Sequence, residues 1–193
     1  RAFDIHSAGA KPILTVNTAF DRECLRFGSI KSAFLKILAR SIKRSEDKGW
    51  DIHIVAHKKK DLEFADFLNA QDVSFKAVDL TDAPYEEVID YYTQPNLVVG
   101  MRGHAQMIPF GLRKPIFSII SHEKLRYFLD DIGHPEWGCD IYDISFEKKL
   151  DAFIDHLSTG KLSLLDDITE AQSRCWENTV GNMKSISSIL ENP

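Results

Sequence analysis

Apolar runs bounded by turn residues alternate along the chain with segments whose apolar residues recur at helical spacing. The runs predict strands at residues 11–16, 51–56, 73–78, 97–100 and 115–120, with a short further strand at 139–144. The helical spacing predicts helices at residues 29–44, 61–69, 84–92, 123–132, 146–157 and between 160 and 190. Strands that alternate with helices favour a parallel sheet covered on both faces. The predicted fold class is therefore α/β, a three-layer Rossmann-like domain with a mostly parallel sheet.

The chain is long enough for one globular core. It has 193 residues, of which 44% are hydrophobic. We predict a flexible lead at residues 1–10, a Rossmann-like domain at 11–160 and a C-terminal helical tail at 161–193. Because the chain opens with Arg1 rather than Met, we interpret it as a processed or truncated product that lacks an N-terminal partner domain.

Charge and cysteine content exclude several classes of function. A net charge of -5 argues against a general nucleic-acid binder, which would carry a basic surface. The three cysteines lie far apart without CxxC spacing, which indicates neither a disulfide framework nor a zinc site. No run approaches the roughly 20 apolar residues that span a bilayer. We expect a soluble, cytoplasmic protein without a transmembrane segment.

The most informative stretch is NLVVGMRGHAQMIPFG, in which a strand stops at Gly100 and a helix follows. Arg102 and His104 lie between them, at the edge where open α/β sheets bind anions. Ser121, His122 and Lys124 follow the next strand. Since neighbouring parallel strands end at the same edge, these residues are predicted to share one crevice.

Three further residues leave the sheet at the same edge. His57 ends the second strand, and Asn17 and Arg22 follow the first. Simpler roles stay open for several candidates: a turn for Asn17, a helix cap for His122, a polar strand cap for Arg102 and His104, a solvated helix position for Lys124 and a solvated turn for Lys58, Lys59 and Lys60. The chain contains no GxGxxG, P-loop, HExxH or GxSxG motif.

The segment from Asn96 to Gly133 resembles the signature of polysaccharide pyruvyltransferases. In that signature, a strand ending in G-M-R-x-H is followed by a helix, a strand begun by Pro and then a lysine. Nearly the whole chain resembles the C-terminal half of such an enzyme. The resemblance implies a two-domain architecture like that of GT-B glycosyltransferases, of which this chain would be the C-terminal domain.

The resemblance also implies a reaction. These enzymes transfer the pyruvyl unit of phosphoenolpyruvate to sugar hydroxyls, leaving a ketal and releasing phosphate, without a metal or a further cofactor. Arg102 and His104 would be catalytic and Lys124 would bind the phosphoenolpyruvate anion, with further substrate contacts from Gly103, Ser121, His122, His57 and Asn17. Gly103 departs from the Leu that is frequent there, and Pro109 lies in a helix that is usually alanine-rich.

The implied partners are phosphoenolpyruvate, a saccharide acceptor, free or lipid-linked at the membrane surface, and the N-terminal domain of the same enzyme. The isolated chain is expected to be inactive. One alternative is a GT-B sugar-nucleotide glycosyltransferase domain, in which Glu123 would bind a ribose. The other is a non-catalytic anion-binding module.

Overall fold

The computed structural model describes residues 11–160 and 164–191. Its six strands, all paired in parallel, are β1 (Ile13–Asn17), β2 (Asp51–Ala56), β3 (Lys76–Asp79), β4 (Leu97–Gly100), β5 (Ile116–Ile120) and β6 (Gly138–Asp140). They form one sheet in the order β3-β2-β1-β4-β5-β6. This is a Rossmann-like arrangement, as predicted, and its order reverses between β1 and β4.

Within residues 11–160 and 164–191, eight α-helices connect and cover the strands. They are α1 (Glu23–Phe27), α2 (Lys31–Asp47), α3 (Phe64–Asn69), α4 (Tyr85–Tyr92), α5 (His104–Gly111), α6 (Glu123–Asp131), α7 (Phe146–Ser158) and α8 (Leu164–Glu191). Two short 3-10 helices cover Lys59–Glu63 and Pro135–Trp137. None of the helices in the described part of the chain is long and apolar enough to cross a membrane.

Both faces of the sheet are buried at its central strands, which confirms the three-layer prediction. Alternate residues of a strand point to opposite faces. On β4, Leu97 and Val99 join the larger core cluster, and Val98 joins a smaller one with Tyr92 of α4 and Ala105 of α5. The near-continuous apolar strands are thus explained by burial on two sides.

Some predicted elements differ from those observed. The third strand begins at Lys76 rather than residue 73, because the Val73 N–H bonds to the Leu68 carbonyl and its side chain packs in the core. The sixth strand ends at Asp140, after which Tyr142 and Ile144 are exposed. The helix predicted at residues 61–69 consists of the 3-10 helix Lys59–Glu63 followed by α3. The short helix α1 and the 3-10 helix Pro135–Trp137 were not predicted.

The long C-terminal helix packs on the domain through its first half. Leu164, Ile168 and Ala171 belong to the main core cluster, whereas Trp176 and Met183 are exposed. The predicted lead at residues 1–10 and the start of the predicted tail at 161–163 lie outside the described residues. The boundary near residue 160 stays a prediction.

Candidate functional site

Three helices begin around one cavity at the carboxyl edge of the sheet. α1, α5 and α6 follow β1, β4 and β5, which are adjacent in the sheet. The cavity has a volume of about 440 Å³, and its lining residues are Asp21, Arg22, Leu25, Arg26, Met101, Arg102, Gly103, His104, Met107, His122, Lys124 and Leu125. Helix starts present backbone N–H groups and partial positive charge, so this edge favours an anionic ligand.

The predicted central residues lie around this cavity. Arg102, His104 and Lys124 all line it, together with Gly103 and His122. His104 and Lys124 are exposed, and the Lys124 ammonium has no ion-pair partner among the residues that the structure describes. The two strand ends therefore bring an imidazole and an unpaired ammonium to a single cavity wall.

Arg102 differs from expectation because it is not a free cation. Its Nε and Nη2 each donate a hydrogen bond of 2.7 Å to the carboxylate of Asp61, and Nη2 also lies 2.8 Å from Asp21 Oδ1. Burial lowers the pKa of Arg102, but the bonds to Asp61 and Asp21 outweigh it and raise the pKa overall. Its Nη1 makes no hydrogen bond to the described residues and is the group left for a ligand.

Asp61 is the buried residue that fixes the position of the Arg102 side chain. Its side chain is 0% exposed, and its Oδ2 also accepts the backbone N–H groups of His57 at 3.1 Å and Lys58 at 3.0 Å. Thr18 Oγ1 donates to the Asp61 carbonyl at 3.2 Å. Sequence reasoning missed Asp61, whose only signal was an acidic residue at the first turn of a predicted helix.

Asn17 does not reach the cavity. It is fully buried, its Nδ2 donates to the Val55 carbonyl at 3.0 Å, and its Oδ1 accepts the Arg102 N–H at 3.2 Å. One side chain thus joins the ends of β1, β2 and β4 where the strand order reverses. Its predicted substrate contact is replaced by this structural role, because both ends of the amide already have partners.

His57 also lies outside the lining. Its Nε2 bonds to the Tyr92 hydroxyl at 2.7 Å, the two rings stack, and its ring centroid is 6.3 Å from that of His104. Burial lowers the pKa of His57 to about 4. A neutral imidazole therefore lies behind His104, and the predicted substrate contact of His57 is not seen because its ring is outside the cavity lining.

Ser121 and His122 each make a local contact. The Ser121 hydroxyl accepts a bond of 3.1 Å from Arg26 Nη1 and is not part of the cavity lining. His122 is the N-cap of α6, and its Nδ1 accepts the Lys124 N–H at 3.2 Å. The capping role that the sequence left open for His122 is therefore present, and the same residue lines the cavity.

The described residues contain no group of three or more His, Cys, Asp or Glu side chains that could hold a metal ion. The polar atoms of the cavity are instead cationic groups, imidazoles and the carboxylate of Asp21. Such a set can bind an anion and exchange protons with it.

The fold of this chain is similar to one domain of solved structures of the GT-B type. A protein from Listeria monocytogenes described as a UDP-N-acetylglucosamine 2-epimerase superposes with a TM-score of 0.52 at 14% identity, over 84% of this chain and 40% of its own. The ADP-heptose lipopolysaccharide heptosyltransferase II of Escherichia coli superposes with a TM-score of 0.52 at 11% identity, over 80% and 49%. The chain thus spans less than half the length of either neighbour, and the likeness concerns the fold.

No protein-family profile matches the sequence, and no curated protein matches it. The structural neighbours therefore support the GT-B-type domain, and the resemblance to pyruvyltransferases stays a prediction from the residues.

Proposed function

We propose that this domain binds phosphoenolpyruvate and contributes to pyruvyl transfer onto a sugar hydroxyl. The observation that carries the proposal is the cavity of about 440 Å³ whose lining includes Arg102, His104 and Lys124. These residues come from two adjacent strand ends, the region where open α/β sheets bind ligands. The volume is within the range of small-molecule sites.

The chemistry of the donor matches the groups at the cavity. Phosphoenolpyruvate carries a phosphate and a carboxylate, and productive binding needs donors for both. Lys124 supplies an unpaired ammonium, the start of α5 supplies backbone N–H groups, and Arg102 supplies its Nη1. The Asp61 and Asp21 carboxylates balance most of the Arg102 charge, so Lys124 is the principal cation for the ligand.

The reaction requires three proton transfers. A proton adds to the methylene carbon, C2 becomes oxocarbenium-like, and a sugar oxygen attacks C2 and loses its own proton. A second hydroxyl then forms the other C2–O bond, displaces phosphate and gives up its proton. His104 is exposed in the cavity at the first position of α5, and imidazole is suited to such acid and base steps.

The acceptor requires more protein than this chain. The structural neighbours are more than twice as long as the matched region. We propose that a second domain holds the saccharide, and we expect the 193-residue chain to bind the donor without turnover.

The competing function is that of a sugar-nucleotide enzyme, which the names of the two neighbours bring forward. Under this alternative, Glu123 was predicted to bind the ribose of the sugar nucleotide. Glu123 is not among the lining residues, and its Oε2 lies 3.6 Å from Arg126 Nε on the same helix. The cavity thus favours phosphoenolpyruvate, the smaller anion.

Calorimetric titration of the chain with phosphoenolpyruvate, a UDP-sugar and an ADP-sugar tests the proposal. We expect phosphoenolpyruvate alone to bind. Lys124→Gln should weaken it by about 10-fold or more, the usual effect of losing one charged hydrogen bond. Lys148→Gln is the control, since Lys148 is also exposed and lies outside the cavity. Binding of a sugar nucleotide in place of phosphoenolpyruvate would overturn the proposal.

A further inference from the structure

Asp21 is the only carboxylate among the residues that line the described cavity, and cationic side chains surround it. Its Oδ1 lies 2.8 Å from Arg102 Nη2 and 3.4 Å from Arg26 Nη2, and its Oδ2 lies 3.6 Å from Lys58 Nζ. Three side chains from three separate segments thus converge on one carboxylate in the lining of a cavity suited to anions.

The two carboxylates that contact Arg102 are held differently. Asp61 is 0% exposed and accepts two backbone N–H groups, so it is fixed by the fold. The Asp21 side chain is 26% exposed. In the described structure, its carboxylate contacts only side-chain cations. Any anionic group of the same shape could make the same contacts.

The two arginines around Asp21 also have bonds that do not involve its carboxylate. Arg102 is held by Asp61, and Arg26 donates from Nε to the Asp21 main-chain carbonyl at 2.9 Å and from Nη1 to Ser121 Oγ at 3.1 Å. Both guanidinium groups are therefore preorganised by bonds that do not involve the carboxylate, which lowers the cost of binding another anion.

We propose that Arg26, Arg102 and Lys58 form a carboxylate subsite, that Asp21 occupies it in the free protein, and that the carboxylate of the ligand displaces Asp21. The inference deepens the proposed function and rests on it for the identity of the ligand. The carboxylate of phosphoenolpyruvate would bind in this subsite, and its phosphate would then lie toward Lys124 and the start of α5. Asp21 acts as an internal competitor that sets the affinity for the donor.

The test is calorimetric titration of the Asp21→Asn variant with phosphoenolpyruvate, with pyruvate as a probe for the carboxylate and with inorganic phosphate as a probe for the other end. Removing one unit charge about 4 Å from the incoming group at a partly exposed position should tighten binding by about tenfold. We expect this gain for phosphoenolpyruvate and pyruvate, and little change for inorganic phosphate.

Asp151→Asn is the matched control, because Asp151 has the same side-chain exposure of 26% and bonds to Arg44 at 2.6 Å away from the cavity. It should leave all three affinities unchanged. Asp21→Ala serves as a second variant and should give the same gain, because it also removes the charge.

Each result bears on a distinct statement. The carboxylate subsite would be overturned if both Asp21 variants bind pyruvate and phosphoenolpyruvate with unchanged affinity, or if only the affinity for inorganic phosphate rises. The proposed function would still stand in that case, provided that the unmodified chain binds phosphoenolpyruvate. A gain for pyruvate with no binding of phosphoenolpyruvate would support the subsite and refute the proposed function.

Discussion

Replacing Arg102 by Met should destabilise the domain strongly, because it would leave the Asp61 carboxylate without a counter-charge. Asp61 is 0% exposed and receives two hydrogen bonds of 2.7 Å from the guanidinium. Among the described residues, only the backbone N–H groups of His57 and Lys58 would still donate to it. Removing one partner of a buried ion pair typically costs about 3–5 kcal/mol.

A second arginine provides the comparison. Arg44 also contacts two carboxylates, Glu147 at 2.7 Å and Asp151 at 2.6 Å, but its side chain is 39% exposed and that of Arg102 only 11%. Exposed ion pairs are worth about 0–1 kcal/mol each. Arg44→Met should therefore cost no more than about 2 kcal/mol.

Urea unfolding followed by circular dichroism measures both variants. In thermal unfolding of a chain of this length, a loss of about 3–5 kcal/mol in the free energy of unfolding corresponds to a fall in Tm of about 6–20 °C. Adding Asp61→Asn to Arg102→Met should restore part of the loss, since no buried charge then remains unpaired. Equal losses for Arg102→Met and Arg44→Met, or a double variant less stable than Arg102→Met, would refute the reasoning.

Two further predictions concern neighbouring features. Burial lowers the pKa of His57 from 6.5 to about 4. Between these two pH values, the unfolded chain binds a proton at His57 that the folded chain does not. The folded state is therefore most stable with respect to this group above pH 6.5, and that stability is lost as the pH falls toward 4. Urea unfolding at pH 7 and at pH 5 measures how much of the free energy of unfolding is lost over this range. The loss should be smaller by about 2 kcal/mol in His57→Asn, and an unchanged pH dependence would contradict this. A Cβ at Gly100 would collide with the Gln106 amide and lie 3.0 Å from the Ala105 carbonyl oxygen, whereas one at Gly103 would meet nothing within 4 Å. Gly100→Ala should therefore cost about 1–3 kcal/mol in the same assay, and Gly103→Ala well under that; similar losses would show that packing at Gly100 is not the cause.

The sheet could be predicted because its signal is local. β2 and β4 have the predicted bounds, since apolar runs end at polar or glycine residues at both places. Helix α1 has five residues, too few to show a period, and it begins after Arg22 in a left-handed conformation with a φ of 55°. Nothing in the residue types at that position signals such a turn.

The cavity could be predicted only in part. Arg102, His104 and Lys124 follow strand ends, and a parallel sheet brings such ends together. The partners of Arg102 could not be found in this way, because Asp61 and Asp21 belong to segments 40 residues apart in sequence that meet only in the folded chain. Sequence position reveals which groups reach an edge, but charge compensation between them depends on side-chain geometry.

The two strands at the edges of the sheet, β3 and β6, are both short. β3 has four residues and β6 has three. Such short edge strands have few unpaired backbone N–H and C=O groups with which a strand of another molecule could pair. The fold therefore carries its own protection against cross-β aggregation, even though the strands at its centre are among the most apolar segments of the sequence.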